Sequence, residues 1–187
     1  MQQRPSRLRT FLSGICRPLR AARRDERGAT LIEFGILSPI FFVLIGATLE
    51  TGMVFLASEV LDSAVQDSTR KILTGQAQSQ QMTAEGFRGL ICDGLYGLFD
   101  CSKLQIKVDV ISDFSSAQVE PPLDPDDPTR WTLVPSFTPG NASEIVRVRA
   151  YYKWPTIINF LGFNLATHSD NTRLLGAVRV FKNEPFQ

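Results

Sequence analysis

Between Glu33 and Glu50 the chain carries no Asp, Glu, Lys or Arg, and within that gap Gly35 to Leu49 reads GILSPIFFVLIGATL. A run this apolar must leave water, either into a protein core or into lipid. Residues 29–57 as a helix would reach ~44 Å, more than the ~30 Å hydrocarbon layer of a bilayer. Glu33 then stands near the start of a membrane-length helix, where a carboxylate costs roughly 2.5–3.5 kcal/mol at bilayer depth and less near the headgroups. Glu50 marks the other border. An acid so placed calls for a cation. A cut after Gly28 would supply one, because the new ammonium of Ala29 would lie one helical turn from Glu33.

The flanking charge gives the span a direction. Residues 1–28 hold eight Arg, at 4, 7, 9, 17, 20, 23, 24 and 27, against Asp25 and Glu26. The rest of the chain is net acidic, although the whole is near neutral at +1. Arg clustered beside a span stays cytoplasmic, so Arg23, Arg24 and Arg27 set the topology. A nucleic-acid-binding tail is the rival reading of such a run. The membrane-length run that follows argues against it, and no nucleic-acid partner is expected. Asp25, Glu26 and Arg27 interrupt the twin-arginine pattern at Arg23-Arg24. The apolar run is also longer than a cleaved secretory signal, with no small-x-small site before Glu50.

Pro39 removes one helical hydrogen bond and is expected to kink or loosen the span. Gly35, Ser38, Gly46, Ala47 and Gly52 would let another helix approach closely. Taken together, Gly28, Glu33, Phe34 and Pro39 at their spacing, in the wording RGATLIEFGILSPIFFVLIGATLETG, resemble the TadE-like family. These are minor pilins (pseudopilins) of the tight-adherence (Tad/Flp) pilus system. The resemblance spans about Arg24 to Gln76, and the closing RVFKNEPF looks like a family ending. It implies cleavage after Gly28 by a prepilin peptidase, with Gly28, Ala29, Glu33 and Phe34 forming the processing signal. It further implies an anchor in the bacterial inner membrane, a cytoplasmic amino terminus and a periplasmic carboxy-terminal domain. The implied partners are the peptidase, other pilins, pilus assembly proteins and inner-membrane lipid.

Beyond the span, Val54, Ala57, Leu61, Ala64, Val65, Ser68 and Ile72 recur at three- and four-residue steps, with Glu59, Asp62, Gln66 and Lys71 on the other face. The pattern predicts one helix from about Thr30 to Thr74, stopped by Gly75. Gln76–Gln81 reads as a polar linker. Thr83 caps a second helix to about Phe99, with Phe87, Leu90, Ile91, Leu95 and Leu98 inward and four glycines weakening it.

Three strands follow. Leu104–Asp113 alternates, with Leu104, Ile106, Val108 and Val110 inward and the other side wet. Ser143–Trp154 ends at Pro155, and Arg173–Lys182 is the last. A Pro-rich loop fills 115–142, and Asp124, Asp126 and Asp127 in it read as a solvated acidic turn rather than a calcium loop, since Pro125 and Pro128 break the required pattern. The apolar stretch Ile157–Leu165 lies against the sheet or on the membrane surface. The fold class is α+β: a long amino-terminal transmembrane helix continuing into a small periplasmic antiparallel-sheet domain, pilin-like in plan. The expected segments are a basic leader (1–28), the span (29–57), an amphipathic extension and linker (58–81) and an α+β head (82–187).

Cys92 and Cys101 can form a disulfide if the head is extracytoplasmic. Cys16 lies in the leader, and His168 is the one His. No zinc spacing, nucleophile elbow, phosphate loop or dinucleotide fingerprint is present. No enzyme, metal or cofactor is therefore expected. An uncleaved single-pass, signal-anchored periplasmic binding or sensor protein is the alternative reading.

Overall fold

The computed structural model describes residues 26–118, 120–160 and 163–186. Arg23, Arg24 and Cys16 lie outside them. The chain divides into two units, one ending at Gly46 and the other running from Ala47 to Gln187. Helix α1, Glu26–Leu73, begins in the first and ends in the second.

In the first unit the helix carries its apolar side chains outward. Leu31, Ile32, Phe34, Ile36, Phe41 and Phe42 are all exposed. The helix continues through Pro39, which lacks the N–H that the carbonyl of Gly35 would otherwise accept. Helix α1 is long and apolar enough to cross a membrane.

In the second unit the same helix is the spine of a packed head. Every residue of the predicted stripe, Val54, Ala57, Leu61, Ala64, Val65, Ser68 and Ile72, is buried. Ser68 Oγ donates to the carbonyl of Ala64 at 2.8 Å, so its burial leaves no open donor. Gly75 takes φ +75°, the left-handed conformation that ends the helix. The expected polar linker contains a short helix, α2 (Gln76–Ser79), which buries Ala77.

Helix α3 (Ala84–Asp93) starts where expected, with Thr83 Oγ1 accepting from the N–H of Gly86. It stops at Asp93, earlier than predicted, because Gly94 to Gly97 turn the chain. Leu95 and Phe99 remain buried in that turn, but Leu98 is exposed, contrary to the helical expectation. Gly94 is needed for packing: a Cβ there would meet the Ala64 Cβ at 2.9 Å. The Cys92–Cys101 disulfide ties α3 to the turn before the first strand. Closing so short a loop is worth roughly 2–3 kcal/mol in the chain-entropy account.

The sheet contains β1 (Gln105–Ile111), β2 (Ser136–Phe137), β3 (Ile145–Pro155) and, after a hairpin of β4 (Asn159–Phe160) and β5 (Phe163–Asn164), the last strand β6 (Thr172–Lys182). Its order is β2-β1-β3-β6. The three predicted strands pair antiparallel, Val108 opposite Val148 and Ala150 opposite Ala177. The two-residue β2 adds a parallel edge that alternation could not reveal, making the sheet mixed.

Ile106, Val108, Val146, Val148, Ala150, Tyr152, Leu175 and Ala177 form one core with the α1 stripe and α3. Phe99 packs edge-on against both Tyr152 and Trp154 at one end of it. Val110, expected inward, is 38% exposed although Val146 opposite it is buried; on its other side the edge strand β2 reaches only to the partner of Val108.

The segment after β6 closes the head. Asn183 is buried and its Nδ2 donates to the carbonyls of Pro139 and Asn141, each at 3.0 Å. The N–H of Glu184 donates to the carbonyl of Leu73 at 2.9 Å, satisfying one of the open acceptors at the end of α1.

Candidate functional site

The chemistry read from the sequence gathers at the two borders of the charge-free run. At the first border, helix α1 already includes Gly28, Ala29, Glu33 and Phe34, with Arg27 in its first turn. Among the described residues, and apart from the helix's own backbone, nothing lies within 4 Å of where a Gly28 Cβ would sit; Gly28 itself is half-buried. Ala29 and Glu33 are exposed, and so is Phe34 at 65%. Their i and i+4 positions put Ala29 and Glu33 on one face, with Cβ atoms ~5–6 Å apart. Among the described side chains no cation lies at ion-pair distance from Glu33.

At the second border, Glu50 does more than mark an edge. It sits four residues before Val54 and seven before Ala57, so it heads the buried stripe. Its two carboxylate oxygens accept the backbone N–H groups of Ile157, at 2.5 Å, and Ile158, at 3.0 Å. Sequence reading placed Glu50 at the interface but found no partner for it. The donors are backbone N–H groups more than a hundred residues away, which no side-chain pattern marks.

The outer face of the sheet departs from expectation. Only the first strand was expected to have a wet side, yet on the same face of the sheet Arg149 and Tyr151 of the neighbouring strand are both buried. Asp109 binds both arginines: Arg147 Nη2 at 2.5 Å and Nε at 3.2 Å, and Arg149 Nη2 at 3.2 Å. The Pro-rich loop covers them through its carbonyls. Arg147 Nη1 donates to Gln118 at 2.7 Å and Lys153 Nζ to Pro128 at 2.6 Å. Long basic side chains lie flat under a loop in this way because their stems pack while their heads find acceptors. Burial pushes the Tyr151 phenol above its usual range, against the pull of Arg149 and Arg147.

The acidic turn is held by its own hydrogen bonds. Asp127 accepts from the Thr129 hydroxyl at 2.5 Å and from its N–H at 3.0 Å, which hold its carboxyl below the ordinary range. Asp124 accepts the N–H of Asp126 at 3.0 Å.

Fold and borders together define a class: a helix long and apolar enough to span a membrane, continuing as the spine of a small α+β head. Residues 28–70 match the family model described as TadE-like protein. The match begins at Gly28 and lies wholly within α1, which supports a membrane protein related to the tight-adherence pilus. No curated protein and no solved structure matches the chain.

Proposed function

We propose that the chain is a non-enzymatic minor pilin or assembly protein of a tight-adherence pilus. In this reading a prepilin peptidase cleaves after Gly28, and residues 29–57 anchor the product in the inner membrane with the head in the periplasm. The observation that carries it is the coincidence of three borders. The family match starts at Gly28, the Arg-rich stretch ends at Arg27, and Glu33 lies one helical turn past Ala29.

The residues divide the work. Arg23, Arg24 and Arg27 hold the leader on the cytoplasmic side. Gly28 offers the peptidase a backbone without a side chain in the way. Glu33 then pairs with the Ala29 ammonium, its own or that of a neighbouring subunit. Such a pair in lipid would register subunits, as buried polar groups do in other assemblies.

Co-expression with a prepilin peptidase, followed by mass spectrometry of the amino terminus, tests this. The mature protein should begin Ala29-Thr30-Leu31-Ile32-Glu33. Retention of residues 1–28 in the presence of an active peptidase overturns the processing claim.

A further inference from the structure

The stretch from Trp154 to Ser169 contains no Asp, Glu, Lys or Arg. Its first part is pinned at two points. The Thr156 N–H and hydroxyl both donate to the carbonyl of Asn171, at 3.0 and 2.9 Å. Immediately afterwards, the N–H groups of Ile157 and Ile158 close on Glu50. Ile157 thus lies beside the helix turn that ends the apolar run, one residue after Leu49. Yet Ile157 is 89% exposed, although nothing about its sequence requires that. The helix around it is equally apolar on its outer side: Leu49, Met53, Phe55 and Leu56 are exposed, and Glu50 is the one charged residue between Glu33 and Glu59.

A soluble head would turn such a loop inward. This one spends both oxygens of a carboxylate to hold an apolar loop outward at the membrane border. The same two hydrogen bonds spread the charge of Glu50 over backbone N–H groups, which lowers the cost of keeping it near lipid.

We propose that the Ile157–Ile158 turn is a membrane-resting foot of the head. Glu50 fastens it at the border, and Ile157 enters the boundary between headgroups and acyl chains. The occupant is the lipid bilayer itself. The proposal rests on the reading of α1 as a membrane span. The foot fixes the height of the head above the bilayer, and Glu50 is a positioning residue for it.

Depth-dependent quenching tests this in the full chain, with Cys16→Ser leaving the Cys92–Cys101 disulfide intact. An environment-sensitive fluorophore is attached at Ile157→Cys, Phe42→Cys or Tyr96→Cys. The protein is reconstituted in phosphatidylcholine–phosphatidylglycerol vesicles containing lipids spin-labelled near the headgroup or near the chain end. Tyr96 is the aqueous control. It is 83% exposed, and it follows Gly94, which packs on Ala64, ~21 Å along α1 from Glu50.

The label at 157 should lose on the order of half its emission to the shallow quencher, as for a group ~5–10 Å into the headgroup boundary. The label at 42 should respond to the deep quencher and the label at 96 to neither. Glu50→Ala should reduce quenching at 157 and leave 42 unchanged. If 42 is quenched but 157 is not, the foot is wrong and the span stands. If 42 also escapes quenching, the membrane reading fails and the foot with it. Shielding of 157 from both lipid quenchers and aqueous iodide, rising with protein density, would assign the turn to a second copy and overturn the proposal.

Discussion

The ring of Phe186 occupies the space that a side chain on Gly75 would need. This contact joins the end of α1 to the segment after β6, and it explains why the closing residues matter to the fold. Gly75→Ala meets two penalties, the left-handed backbone and the displaced ring. The first alone costs roughly 1–2 kcal/mol. Denaturant unfolding should show a larger loss for Gly75→Ala in the native background than in a Phe186→Ala background. The difference between the two measures the contact.

Asp109 is the shared counter-ion of Arg147 and Arg149, and Arg149 keeps only 5% of its side-chain surface. Asp109→Asn leaves both cations under the loop with no carboxylate between them. Breaking a fully buried pair costs about 3–5 kcal/mol, and the 21% exposure of Asp109 lowers this to about 2–3 kcal/mol. Chemical denaturation should report that loss. A change within experimental scatter would mean that water reaches the arginines.

Tyr151 gives a pH dependence with a definite sign. Burial favours the neutral phenol, so its folded-state pKa lies above the ordinary tyrosine value of 10.0. The contribution to stability is complete below the unfolded value. It is lost as pH rises from there through the folded value, because only the unfolded chain readily gives up this proton. Phenolate absorbance assigned to Tyr151, by difference from Tyr151→Phe, should appear above the ordinary tyrosine range. Tyr151→Phe should also lessen the alkaline loss of stability.

Glu33 separates anchoring from assembly. Glu33→Ala removes the acid without shortening the apolar run, so membrane insertion, followed by alkaline extraction of membranes, should be unchanged. Pilus assembly in a strain carrying the variant should fail. Normal assembly would remove Glu33 from the proposed registration of subunits.

Local pattern made much of this chain legible. The Val54–Ile72 stripe, the Gly75 stop, the Thr83 cap and the three long strands all follow from residues within a few positions of one another. What escaped were contacts between distant segments made through backbone groups. The N–H pair of Ile157 and Ile158 on Glu50 has no signature, because every residue but proline has an N–H. Loop carbonyls from Gln118 and Pro128 likewise made a face that alternates like a wet one into a covered one. At the candidate processing site the spacing of Gly28, Ala29, Glu33 and Phe34 was readable because it is local. The topology expected from Arg23 and Arg24 rests on charge alone.

The bond from Glu184 to Leu73 also orders events during translation. Leu73 leaves the ribosome long before Glu184 does, with all of the sheet still to be made. Until then the Leu73 carbonyl must be satisfied by water, while those of Arg70 and Ile72 are met locally by Thr74 and Gly75. The head therefore reaches its closed form only after α1 and the whole sheet have been made.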